Sequence, residues 1–143
     1  MTLDQARIRQ LVPHAGAMCL LASVDSWSDT EIRCTSPQPR HDHPLARAGV
    51  LPAIAAAEYA AQATAVHGAL LDGHDGPRGG MLASLIDVQL KFAAFPAAAG
   101  ELSVMAQLLS RSQAGCLYSF EVSDAQQGIA SGRLMVAFAK DAA

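Results

Sequence analysis

The sequence has no surplus of basic charge. Ten Lys and Arg stand against thirteen Asp and Glu, a formal net charge of −3, so it lacks the electrostatic footprint of a nucleic-acid-binding chain. Charge of either sign is sparse. Only 16% of residues are charged and 51% are hydrophobic, which excludes a disordered chain and predicts a globular domain. Cysteine is scarce and unpaired in pattern: Cys19, Cys34 and Cys116 are odd in number, show no C-x-x-C spacing and lie among apolar residues. Buried free thiols in a reducing compartment are expected, not disulfides or a zinc site. The opening MTLDQARIRQ has no apolar signal-peptide core, and Thr2 with Gln5 reads as a helix cap, so a cytoplasmic location is expected. There is no G-x-S-x-G, no P-loop and no G-x-G-x-x-G; Gly79-Gly80 beside Arg78 reads as a turn before a strand.

What is present is an order of elements. At 143 residues the chain suits one domain, 1–143, able to bury roughly 70% of its unfolded surface. MCLLASVDSW and TEIRCTS read as two strands joined at Ser28-Asp29, and the proline-rich loop PQPRHDHPLARAG follows. Four later segments alternate with period two. Their apolar sets are Ile86, Val88, Leu90 and Phe92; Leu102, Val104, Ala106 and Leu108; Cys116, Tyr118, Phe120 and Val122; and Leu134, Val136 and Phe138. Turn signals in FPAAAG, Ser112 to Gly115 and DAQQG separate them. Between the two groups, Leu51 to about Leu71 is the long helical candidate, with Pro52 in its first turn and Asp72-Gly73 at its end. Strands, one helix, then strands predict α+β, not alternating α/β. The economical architecture is a curved six-stranded antiparallel sheet wrapped around one central helix. Its exposed edge predicts dimerisation through sheet pairing.

The helical candidate, LPAIAAAEYAAQATAVHGALL, holds nine alanines in twenty-one residues. It is long enough for a bilayer, since about 20 apolar residues suffice, but Glu58, Gln62 and His67 would have to be desolvated there. A buried helix of a water-soluble domain meets the same pattern at less cost. Glu58 is its single carboxylate, with no cation in local reach. Either it emerges at the surface, satisfied by Gln62 and water, or apolar surroundings raise its pKa and make it a proton donor. In the preceding loop, His41 and His43 are either solvated or offer a base with an unperturbed pKa of ~6.5. A metal site on the H-x-H spacing lacks an evident third ligand, because His14, His67 and His74 are scattered. Arg40 and Arg47 flank this loop as two charges whose use depends on the substrate.

Together, VPHAGAMCLLASV, then HPLARAGVLPAIAAAEYAAQ, then the strand-rich second half resemble the 3-hydroxyacyl-acyl carrier protein dehydratases of the hotdog fold. The branch associated with aryl polyene clusters, with its PHAG-type opening and LPA-x5-EY-x-AQ helix, is nearest. Pro13-His14 fits the first family motif; Pro52, Glu58, Ala61 and Gln62 fit the second. The resemblance implies that His43 of one subunit faces Glu58 of the other, the histidine taking the C2 proton and the acid protonating the departing 3-hydroxyl. It implies the backbone N–H of Ala53 as oxyanion donor, Gln62, Pro52 and Gly49 along the substrate, and Arg40 and Arg47 docking an acyl carrier protein. It implies no metal or other cofactor beyond the phosphopantetheine arm of the carrier protein or coenzyme A. The expected product is a trans-2-enoyl thioester. The assembly is a homodimer or higher oligomer, or a heterodimer with a second hotdog subunit. The sequence departs from the pattern in several places, and the glycine and phenylalanine of the family's H-F-P-G stretch are absent after His43. The His43 to Glu58 spacing is one residue longer, which keeps His41 open as the base; Ala53 replaces a glycine; and Ala22 replaces an aspartate. A hotdog thioesterase and a non-catalytic or partner-dependent subunit are the competing readings.

Overall fold

A computed structural model describes residues 2–11, 18–73, 80–97 and 99–138. Helix α1 spans Gln5–Leu11, and its first turn is capped by Asp4, whose carboxylate accepts from the Arg7 amide at 3.0 Å. Asp4, not Thr2, is therefore the cap, because it sits immediately before the helix. Strands β1 (Ser23–Trp27) and β2 (Glu31–Ser36) follow, turning at Ser28, whose amide donates to Glu31 O. A 3₁₀ turn, Ala53–Ala55, leads into helix α2, Ala56–Asp72. Strands β3 (Gly80–Leu90), β4 (Leu102–Arg111), β5 (Gly115–Ser123) and β6 (Gly128–Phe138) complete the order. The expected helix thus starts with a tighter turn after Pro52 and ends at Gly73, which adopts φ +66°, a conformation a side chain would disfavour.

The sheet has six antiparallel strands in the order β1-β2-β4-β5-β6-β3. Helix α2 packs against β2 through β6, and Ala56, Ala60, Ala63 and Ala69 are fully buried in that contact. Small side chains let the sheet approach closely on most sides of the helix. The alternation read in β4 and β5 is the alternation found: Leu102, Val104, Ala106, Cys116, Tyr118, Phe120 and Val122 all lie in the core. The three cysteines are buried and free. Burial, with Asp25 nearby, pushes the Cys34 thiol up to about 12.

Two segments differ from expectation. In MCLLASVDSW only the second half is strand. Leu20 leaves the sheet because its amide donates to the Gln62 side chain and its carbonyl accepts from the Ser36 hydroxyl. In β3 the expected apolar face is covered only in part: Ile86 and Val88 are half-buried, Val88 against the core, while Leu90 and Phe92 are exposed. Among the described residues β3 is an edge strand paired only with β6, and Asp87, at φ +51°, shifts the register between Ile86 and Gln89. Leu82, Leu85, Leu90 and Phe92 are exposed in consequence. Among the described residues, no helix is long and apolar enough to cross a membrane.

Candidate active site

The proline-rich loop between β2 and the 3₁₀ turn is built from consecutive tight turns. The His43 amide donates to Arg40 O at 3.0 Å, the Ala46 amide to His43 O at 2.9 Å, and Arg47 and Val50 exchange both backbone bonds. Ala48 (φ +52°) and Gly49 (φ +77°) reverse the chain, a conformation that suits Gly49 and costs Ala48. This folding points His43 inward while His41, Asp42 and both arginines remain exposed. Arg40 and Asp42 form an exposed ion pair at 3.4 Å, weak by its exposure.

The His43 ring is held at both nitrogens. Its Nδ1 accepts from the Leu45 amide at 3.0 Å, and its Nε2 lies 3.0 Å from the Tyr59 hydroxyl. Burial lowers the His43 pKa, with Asp42 offsetting part of the effect, so the ring is neutral near pH 7. Tyr59 is buried, and its ring lies between His43, at 5.9 Å between centroids, and Phe95, at 6.0 Å. Burial pushes its hydroxyl up to about 12, which keeps it protonated. His43 and Tyr59 line a cleft of about 230 Å³ with Cys19, Leu20, Arg40 and three loop prolines.

Glu58 precedes Tyr59 on α2 and is half-buried. Its Oε1 accepts from the Gln62 amide group at 3.3 Å, one helical turn on. Gln62 is fully buried: its other amide hydrogen goes to Met18 O at 2.7 Å, and its oxygen takes the Leu20 amide at 2.9 Å. The structure therefore makes Gln62 a holder of Glu58 and of the 18–20 segment, where the resemblance implies a substrate contact. The Ala53 amide, implied as oxyanion donor, instead donates to Ala93 O at 3.0 Å, because Pro52 bridges to Ala94 and draws the helix start against that strand-like segment. Gly49 shapes the loop turn beside His41, its missing Cβ facing His41 Cβ at 3.9 Å. His14 and His74 lie outside the described residues. Among those described, no group of three or more His, Cys, Asp or Glu side chains could hold a metal ion.

Sequence reasoning did not single out Tyr59 or the Leu45 amide. Tyr59 was the lone aromatic in the alanine run, a visible signal; the amide left none. Nor did it foresee that His67 is a core group. His67 is fully buried, with Nδ1 2.7 Å from the Tyr118 hydroxyl and Nε2 2.7 Å from Ser28 O.

A family model for ApeP dehydratases, ApeP-like, matches residues 6–143. The chain belongs to that dehydratase family. It superimposes on the dehydratase heterocomplex ApeI:P from Xenorhabdus doucetiae with a TM-score of 0.80 and 25% identity, covering 97% of this chain and 93% of that one. Two more distant structures share the hotdog fold. One is a hypothetical thioesterase with coenzyme A from Streptococcus pneumoniae TIGR4, at TM-score 0.61 and 8% identity over 81% of this chain and 84% of the other. The second is a thioesterase mutant from Staphylococcus aureus subsp. aureus Mu50, at TM-score 0.61 and 17% identity over 82% and 92%. No curated protein matches the chain as a relative.

Proposed function

We propose that this chain dehydrates 3-hydroxyacyl thioesters presented on the phosphopantetheine arm of an acidic acyl carrier protein, in a site completed by a second hotdog subunit. His43 takes the C2 proton at Nε2, an acid in the role of Glu58 protonates the departing 3-hydroxyl from across the interface, and a trans-2-enoyl thioester and water result. Family membership supports the reaction class. The partner is supported by one observation: both nitrogens of His43 are engaged within its own chain, so the chain by itself presents no free base. The similar heterocomplex agrees with a second hotdog partner. Because the Ala53 amide is bonded to Ala93, the thioester oxygen depends on another donor of the completed interface.

Purified chain, alone and mixed with a second hotdog subunit, incubated with a 3-hydroxyacyl carrier protein, tests this. Enoyl thioester should form in the mixture, with the thioester bond intact. Release of free thiol would favour hydrolysis, and equal turnover by the unpartnered chain would remove the need for a partner.

A further inference from the structure

Removal of the C2 proton leaves negative charge on the thioester oxygen, and that charge needs a hydrogen-bond donor about 2.7–3.1 Å away. Backbone amides beside His43 and at the helix start are already spent. The Ala53 amide goes to Ala93 O, that of Leu20 to the Gln62 side chain, that of His43 to Arg40 O and that of Leu45 to Nδ1 of His43. Among the described side chains along the cleft, Gln38 and Arg40 are exposed, and Cys19 offers only a weak S–H. The buried hydroxyl of Tyr59 remains, 3.0 Å from the nitrogen that must meet C2. We propose that this hydroxyl holds the thioester oxygen during the reaction, which makes Tyr59 a catalytic residue. This rests on the dehydratase reading above and names the donor which that reaction needs.

The thioester oxygen is two bonds from C2, so with C2 at Nε2 it falls beside the group that already neighbours Nε2. The hydroxyl serves there whatever the His43 ring carries, because it can both donate and accept. With a proton on Nε2, it accepts from the ring and its O–H is left to the cleft. With Nε2 bare, it donates to the ring until the thioester oxygen takes its place. An enolate oxygen is the stronger acceptor, since hydrogen bonds to a charged partner are about twice as strong as neutral ones. Once Nε2 has taken the C2 proton, the imidazolium donates to the Tyr59 oxygen while the Tyr59 O–H donates to the enolate, and each bond polarises the next. The hydroxyl keeps its own proton, because burial pushes its pKa up to about 12. Packed between His43 and Phe95, it meets the oxygen without reorganising.

The mixed complex of the chain and a second hotdog subunit tests this. The probe is a saturated acyl-pantetheine labelled with ¹³C at the thioester carbon, which lacks the 3-hydroxyl and cannot be dehydrated. A carbonyl that accepts a hydrogen bond absorbs at lower frequency in the infrared. The bound band should lie below that of the free probe, and Tyr59→Phe, which keeps the ring and loses the hydroxyl, should remove the shift contributed by this chain. With a 3-hydroxyacyl carrier protein, the part of kcat that His43→Gln removes should fall about 10²- to 10³-fold in Tyr59→Phe, the worth of one oxyanion donor. A tyrosine that only steadied His43 would lower the rate and leave the band in place. A wild-type band at the free position, or a Tyr59→Phe complex that keeps the wild-type band or the His43-dependent rate, overturns the assignment. If Tyr59→Phe folds poorly, Tyr59→3-fluorotyrosine, a stronger donor in the same place, should lower the band further, and an unmoved band overturns the assignment. A complex in which His43→Gln removes no turnover would instead sink the dehydratase reading, while the band still decides on Tyr59.

Discussion

The side chain of Gln62 joins Glu58 to the backbone of Leu20, donating to the carboxylate at 3.3 Å and accepting from the amide at 2.9 Å. A residue of the helix thereby fixes both the acid beside it and a chain segment forty-two positions earlier.

Replacing Gln62 with Leu should therefore damage stability and activity together. The buried Leu20 amide would lose its partner, at about 1–3 kcal/mol for a group left unsatisfied, and the part-buried Met18 carbonyl would lose its own. Urea denaturation of Gln62→Leu should show a lower midpoint with the slope unchanged. An unchanged midpoint would mean that water replaces the amide without loss.

The acid and the base separate by substitution. In the complex with its partner, Glu58→Gln and His43→Gln should each lower kcat by roughly 10²- to 10⁴-fold, the usual worth of a general acid or base. His41→Ala should keep the wild-type rate, since His41 is exposed beside Gly49. Enoyl formation followed by absorbance checks all three, and a dead His41→Ala would reassign the base.

His67 sets a pH dependence of folding. Its Nε2–H donates to Ser28 O and its Nδ1 accepts from Tyr118; burial outweighs the opposing effect of the Ser28 bond and, with a smaller push from Arg111 against Asp29, lowers its pKa below the unfolded value of ~6.5. The unfolded chain thus binds a proton before the folded one. Stability from this group is complete above pH ~6.5 and falls as the pH drops from there towards the folded pKa. Unfolding midpoints measured from pH 7.5 to 5.5 should decline on acidification, and His67→Gln should flatten the decline. A variant with the wild-type slope would show that the titration lies elsewhere.

The uncovered edge strand makes assembly testable. Leu82 and Leu85 are exposed on β3, which pairs only with β6. If the second subunit continues the sheet there, Leu85→Lys should weaken association, as charge on an edge does. Sedimentation of the mixed subunits reads this directly, and undiminished association would move the interface off β3.

How much of this was legible in the sequence depended on the range of the interactions. Strands β4 and β5 announced themselves because they lie in the middle of the sheet, where period-two alternation and burial coincide. The same alternation held only in part in β3, where Val88 reaches the core and Leu90 does not. An edge position and the Asp87 bulge detach side-chain pattern from burial, and neither is written in local spacing. Glu58 and His43 were found by residue type in an unusual setting. Their hydrogen bonds were not, because Tyr59 and Leu45 act on His43 through a fold-dependent hydroxyl and a backbone amide that any residue but proline carries.

By itself, then, the sequence determined the order of strands and helix, the helix of small residues on which a sheet can close, and the acid within it. Those follow from hydrophobic periodicity and side-chain size, which are local properties. The tertiary structure alone decided that Gln62 is buried and holds Glu58, that the Ala53 amide is bound to Ala93, and that both ring nitrogens of His43 are engaged. Each is a hydrogen bond between groups brought together only by folding, and its direction is set by geometry that composition and spacing do not contain.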